Sequence, residues 1–277
     1  MTLEYSRDLI ANVYDSYGDA EWERHDASPA ARVAFRIHLH YLRDNIRAGD
    51  KVLDIGAGAG RFTVEIAKLG ATITVADISS EQLRLNAEHV ADAGYATLVT
   101  DRLVADVRDL SAFADGSFDA VVCYGGPLSY VVGHTDEAMA ELVRVTRPGG
   151  RLLLSVMSKF GTLRAFAPGV ASEIEEFGLD ETREIFTTGD LPIHHSGIGP
   201  MHLFHWAELE PLIQRNGGDI VVASATNFIS LADPQTCEAW AGDPEMFEVL
   251  VGWELVACAQ PGLIDGGTHI LVVAERT

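Results

Sequence analysis

Five short apolar runs, separated by longer stretches of helical period, constrain this chain more than any other feature. "VLDI" from Val52, "ITVA" from Ile73, the segment Thr97–Ala105, "AVVCY" from Ala120 and "LLLSV" from Leu152 are mostly continuous rather than alternating. Continuous runs of this length belong to strands covered on both faces, as in a parallel sheet wound with crossover helices. Strands are therefore expected at Lys51–Ile55, Ala71–Ala76, Thr97–Ala105, Phe118–Tyr124 and Gly150–Met157. Helices are expected at about Gly60–Leu69, Ser79–Ala93 and Thr135–Val145. Ser79 is a plausible N-cap, Gly94 a stop, and "RPGG" from Arg147 a sharp turn into the fifth strand. An amphipathic helix at Ala31–Ile46 precedes the first strand and directs Val33, Ile37, Tyr41 and Ile46 at the core.

The rhythm breaks at Ser158–Pro200, which is rich in Gly and Pro and offers no clean strand. It resumes with a helix at His205–Asn216 and strands at Asp219–Asn227 and Thr268–Ala274. Between those strands, "DPEMFEVLVGWELVACAQ" reads as a helix with Met246, Val249, Leu250, Trp253 and Val256 on one face. The expected architecture is α/β: a doubly wound, seven-stranded, mostly parallel sheet with a lid inserted after the fifth strand. Residues 1–157 carry N-terminal helices and the nucleotide-type core, 158–204 the lid, and 205–277 the rest of the same sheet plus an extra helix. A long irregular insertion of this kind is usually functional.

Charge and cysteine content narrow the function. Asp and Glu number 41 against 20 Lys and Arg, a formal charge of −21 that repels phosphate backbones and anionic membranes at long range. The same excess would also serve solubility in a saline cytoplasm. No window approaches the roughly 18 apolar residues of a membrane span, and Met1–Ile10 is charged where a signal peptide is apolar, so a cytoplasmic location is expected. Cys123, Cys237 and Cys258 lack disulfide or zinc spacing.

The first strand ends in "GAGAG", Gly56–Gly60, at a helix start. Glycines there let a ligand approach backbone N–H groups and the positive helix end. A dinucleotide fingerprint would put its third glycine where Arg61 stands, which argues against a dehydrogenase. Asp54, inside the apolar strand, needs a compensating partner and suits a cationic ligand.

In order, "VLDIGAGAG", "VADIS" from Val75, "VADVRDL" from Val104, "FDAVVCYG" from Phe118 and "RVTRPGGRLLLS" from Arg144 resemble the motifs of class I S-adenosylmethionine-dependent methyltransferases. The resemblance implies the Rossmann-like fold of that family, with S-adenosyl-L-methionine as cofactor. It implies that Gly56, Ala57, Gly58 and Gly60 surround the methionine part, with Asp54 on its amino group. Asp77 would take the ribose hydroxyls, next to Ile78; its alternative role is a helix cap. Asp106 would take the adenine amino group, with Asp109 as the competing carboxylate, and Val107 would bond a ring nitrogen. Cys123 and Tyr124 would lie beside the sulfonium. In layout, "YDSYGDAEWERHD" and the C-terminal segment from Val251 are similar to tRNA carboxymethoxyuridine methyltransferases. That similarity implies Arg32 on the cofactor carboxylate and a tRNA acceptor, for which Arg144, Arg147 and Arg151 would supply a basic patch.

Methyl transfer is an in-line displacement in which alignment and water exclusion matter most. An ionised carboxylate acceptor needs no base, whereas an alcohol or phenol does. Candidate acceptor-side residues are His202 in the insertion and Tyr130 and His134 after the fourth strand; solvated-loop or packing roles are the alternatives. No metal is expected, because His194, His195, His202 and His205 match no strong ligand spacing. The expected activity is methylation of an oxygen, for instance a carboxylate, on a small molecule. The alternatives are a tRNA-modifying enzyme, a dehydrogenase and a non-catalytic cofactor-binding protein.

Overall fold

The computed structural model describes residues 4–277. Its main sheet has the strands β1 (Lys51–Ile55), β2 (Thr72–Asp77), β3 (Val99–Val104), β4 (Phe118–Cys123), β5 (Thr146–Met157), β6 (Gly218–Ala225) and β7 (His269–Arg276), in the order β3-β2-β1-β4-β5-β7-β6. Pairing is parallel from β3 through to β5, while β7 runs antiparallel to both of its neighbours.

Side chains alternate across this sheet because a strand repeats every two residues. Leu53, Ile55, Val121, Cys123, Leu152 and Leu154 face one core, which the helices Thr135–Val145 and Trp206–Arg215 cover. Val52, Ala120, Val122 and Leu153 face the other, under Pro29–Asn45, Arg61–Lys68 and Pro244–Cys258. Within Pro29–Asn45 the expected Val33, Ile37 and Tyr41 are buried, as is Ile46 just beyond it. "RPGG" lies inside β5 as an irregularity: the pairing jumps from Phe118–Thr146 to Ala120–Arg151.

Two features differ from expectation. Residues 158–204 are helical, with Lys159–Phe166, Val170–Phe177 and Leu179–Thr188 followed by a small ribbon pairing Asp190–Leu191 with Met201–His202. Gly169, Gly178, Gly189, Pro192 and Gly197 stand at helix ends, where they punctuate rather than prevent structure. The N-terminal helices expected in 1–157 include Arg7–Tyr17, capped by Ser6, whose position the sequence reading does not specify. In Pro244–Cys258 the face carrying Met246, Val249, Trp253 and Val256 is exposed, and Phe247, Leu250, Val251, Glu254 and Cys258 are buried instead. The Glu254 carboxylate explains that rotation: it accepts hydrogen bonds from the N–H groups of Phe228, Ile229 and Ser230 and from the Ser230 hydroxyl. Among the described residues, no helix is long and apolar enough to cross a membrane.

Candidate active site

The strand order reverses between β1 and β4, so their carboxyl ends splay apart and open a crevice. A cleft with about 630 Å³ of atom-free space, its open mouth included, lies there. Ile55, Gly56 and Gly58 after β1, Asp77 and Ile78 after β2, Ala105, Asp106 and Val107 after β3, and Tyr124 and Gly125 after β4 line its floor. The N-terminal segment supplies the opposite wall through Tyr5, Ile10, Tyr14, Glu21 and Arg24. This wall is anchored: Gln82 donates to the carbonyls of Tyr14 and Gly18, and Ser79 donates to Asp15 at 2.5 Å. Arg61, which begins the helix after the glycines, pairs with Asp26 and lies over the rings of Trp22 and Phe35.

Gly56 adopts φ +70°, and a Cβ there would stand 2.3 Å from Pro127 Cγ. Asp77 lines the cleft with its Oδ2 accepting from Gly58 N at 2.8 Å and its Oδ1 from Ser79 N at 2.9 Å. The helix cap is Ser79, whose hydroxyl oxygen accepts from Gln82 N, so Asp77 is not spent on capping. A carboxylate has about four acceptor sites; two here stay open. Burial pushes the Asp77 carboxyl up to about 6 against the opposing effect of those N–H donors. Asp106 accepts from the Tyr5 hydroxyl at 2.9 Å and from Arg108, whose hydrogen bonds and charge overcome its burial and hold it below the usual carboxylate range. Asp109 is no part of the lining; it accepts from Ser111 N instead.

Several residues singled out from the sequence lie elsewhere. Asp54 is buried beneath the cleft, accepting from the Thr63 hydroxyl at 2.6 Å, and burial pushes it up to about 7. Ala57 packs against the core, and Gly60 faces Asn86, where a Cβ would come within 2.9 Å of the amide nitrogen. Cys123 is fully buried in the sheet core and its thiol is pushed up by that burial. Arg32 donates to the Ala241 carbonyl and stacks on Phe247, outside the lining.

On the acceptor side, Tyr130 lines the cleft and its oxygen accepts from the Tyr14 hydroxyl at 3.0 Å. His134 does not: it precedes the helix Thr135–Val145 and pairs with Glu137. His202 is held between Asp190 at 2.6 Å and Glu208 at 3.0 Å. Burial alone would lower its pKa, but those two carboxylates raise it, and the ring is not part of the cleft lining. Arg144, Arg147 and Arg151 each pair with a carboxylate, Arg144 with Glu141 and Asp115, Arg147 with Asp119 and Arg151 with Glu275, at the strand ends away from the cleft. Their charge is thereby neutralised locally, so no basic patch forms there.

The N-terminal pair Glu21–Arg24, joined at 2.6 Å, went unnoticed in the sequence. Ser6 followed by Ile10, Val13, Tyr14 and Tyr17 carries the helix signal that would have pointed to this wall. Behind Tyr124 lie the buried His25 and His38 and the half-buried His269, whose pKa values desolvation lowers to about 2, 4 and 3 respectively. They are neutral aromatic packing at ordinary pH.

The fold and the cleft are those of a class I S-adenosylmethionine-dependent methyltransferase domain. Residues 52–150 match the family model described as "Methyltransferase domain". Among characterised proteins, the chain is 36% identical over 137 residues to the ubiquinone biosynthesis O-methyltransferase of Xanthomonas axonopodis pv. citri, covering 48% of this chain and 54% of that one. It is 40% identical over 118 residues to the ubiquinone/menaquinone biosynthesis C-methyltransferase UbiE of Burkholderia cenocepacia, covering 42% and 46%. The chain thus spans about half the length of the curated relatives it matches. A solved SAM-dependent methyltransferase from Methanosarcina mazei shares the fold at 19% identity, with a TM-score of 0.57, covering 85% of this chain and 96% of that one.

Proposed function

We propose that this chain moves a methyl group from S-adenosylmethionine to an anionic oxygen, a carboxylate in the first instance, of a small molecule. The cleft fits the cofactor on three counts. Asp77 has two open acceptor sites for a cis-diol, Ile78 and Val107 offer apolar walls beside Asp106 for the adenine, and the Gly56 backbone leaves no room for a Cβ. The Glu21–Arg24 pair supplies one charge of each sign, which suits the zwitterionic amino-acid end. The bound cofactor supplies an electrophilic methyl on a sulfonium.

The acceptor reading rests on the lining, whose carboxylates are already engaged: Glu21 with Arg24, Asp77 with the N–H groups of Gly58 and Ser79, and Asp106 with Tyr5 and Arg108. Among the described residues no histidine lines the cleft, and Tyr14, Tyr124 and Tyr130 all have pKa values pushed up by burial. These phenols stay protonated and take no proton from an acceptor; with Tyr14 donating to Tyr130, the Tyr130 hydroxyl proton is the one free to hydrogen-bond an acceptor oxygen. An acceptor that arrives already ionised needs nothing more than alignment and exclusion of water. The insertion 158–204 is assigned the role of lid and acceptor-recognition element, and the core 1–157 that of cofactor binding, with 205–277 completing the sheet.

A panel of carboxylic acids, phenols and quinone-like rings, incubated with methyl-labelled S-adenosylmethionine, tests this reading. A methyl ester releases its label as volatile methanol in mild base, whereas an ether or a C-methyl product keeps it. Base-stable label in every product would reject the carboxylate assignment.

A further inference from the structure

The insertion brings together groups that the methyl-transfer cleft does not use. Glu181 on the helix Leu179–Thr188 meets His194 and His195, which sit on the single turn Ile193–Ser196. Glu181 Oε1 lies 2.7 Å from His194 Nε2 and 3.5 Å from His195 Nε2, and one ligand atom from each of the three residues falls within 4.8 Å of the others. We propose that Glu181, His194 and His195 bind one divalent transition-metal ion of the zinc class.

The hydrogen-bonding of His195 points to a ligand. Its side chain is only 6% exposed, and its Nδ1 stands 2.5 Å from Glu173 Oε2 on the neighbouring helix Val170–Phe177. With the Nδ1 proton donated to Glu173, Nε2 is left with a lone pair. That buried nitrogen has no hydrogen-bond partner. It faces the Glu181 carboxylate, another acceptor, so the two lone pairs oppose one another unless a cation lies between them. A carboxylate on the far nitrogen of a ligating imidazole is the usual device for fixing its tautomer and raising its basicity.

The dimensions are compatible with such an ion. Zinc bonds to imidazole nitrogen and carboxylate oxygen are about 2.0–2.2 Å long, which puts neighbouring ligand atoms of a tetrahedral site roughly 3.3–3.5 Å apart. The His195–Glu181 separation already has that value, His194–Glu181 must open slightly, and the histidine nitrogens must close by part of an ångström to 1.5 Å or so. Two nitrogens and one carboxylate oxygen leave a fourth position for water. Any proton on His194 Nε2 leaves on binding. Because the ligands and Glu173 come from three consecutive helical pieces, the ion would clamp the insertion into one unit.

Titration of the full chain, free of any affinity tag, with zinc(II) by calorimetry and with cobalt(II) by visible absorption tests this. One ion per chain and the intense bands of four-coordinate cobalt are expected. Glu181→Gln and His194→Gln, both at partly exposed positions, should weaken zinc binding by at least about 100-fold while leaving the far-ultraviolet circular dichroism unchanged. Glu173→Gln should weaken it by about 10–100-fold, the loss typical for such an outer partner. His40→Gln, on the exposed side of another helix, should bind as the parent does. Absence of saturable binding, or binding equal in Glu181→Gln and His194→Gln to the parent, would overturn the proposal.

Discussion

Replacing Asp77 by Asn tests the cofactor assignment most directly. The native carboxylate accepts one backbone N–H on each oxygen, from Gly58 and from Ser79. An amide preserves the shape but must turn its NH2 toward one of those donors or toward the ligand's hydroxyls. Hydrogen bonds to a charged group are worth about 1.5–3 kcal/mol each, so losing one of them outright and weakening a second costs about 2–4 kcal/mol. That corresponds to roughly a 30- to 1000-fold weaker Kd. Calorimetric titration with S-adenosylhomocysteine, the product that lacks the reacting methyl, reads this without any acceptor. The native carboxyl is raised to about 6 by burial, and only its ionised form accepts from both hydroxyls. Native affinity should therefore fall by about tenfold between pH 7 and pH 5, and D77N should lack that component. The raised Asp54, at about 7, titrates nearby, so D54N serves as the control that retains the Asp77 component. Affinity of D77N within threefold of native, or an unaltered pH profile, would refute the assignment.

Gly56→Ala places a Cβ 2.3 Å from Pro127 Cγ at φ +70°, so cofactor affinity should drop at least tenfold with a loss of thermal stability, measured by calorimetry and by a melting curve. Arg24→Gln leaves Glu21 unpaired in the cleft and should weaken S-adenosylhomocysteine binding by about 1–3 kcal/mol, whereas Arg32→Gln, on the Phe247 side, should leave it unchanged. His202→Gln should leave turnover near native but lower stability. Its pKa is raised in the folded chain by Glu208 and Asp190 against the burial effect, so the imidazolium's contribution, about 1–2 kcal/mol, is complete below pH 6.5 and disappears as pH rises through the raised value. Melting curves of native and variant at pH 6 and pH 9 should therefore converge at the higher pH, and a constant gap would contradict the pairing.

The sheet and the strand-end floor of the cleft were legible locally, because each depends on short-range chemistry. Runs such as "LLLSV" can be buried only between two layers, and glycines at 56 and 58 and a carboxylate at 77 stand at strand ends whatever packs above them. Chain order and the right-handed crossover then leave few ways to assemble five parallel strands. Distance in space was not legible. His202 and His134 looked equivalent to Tyr130 as acceptor-side candidates, yet only Tyr130 reaches the cleft, because carboxylates at Asp190, Glu208 and Glu137 claim the two imidazoles. Likewise Arg24 rather than Arg32 faces the cleft, since the break at Ser28 turns the chain between them.

The strand-turn-helix grammar of residues 51–157 thus followed from sequence alone: periodicity, glycine geometry and buried polarity are properties of a few neighbouring residues. Tertiary structure alone decided which face of Pro244–Cys258 is buried, that an N-terminal helix walls the cleft, and that Glu173, Glu181, His194 and His195 meet. Those outcomes depend on which polar groups find partners across 13 to 68 positions of chain, and a buried carboxylate satisfied by a distant backbone outweighs the local apolar pattern.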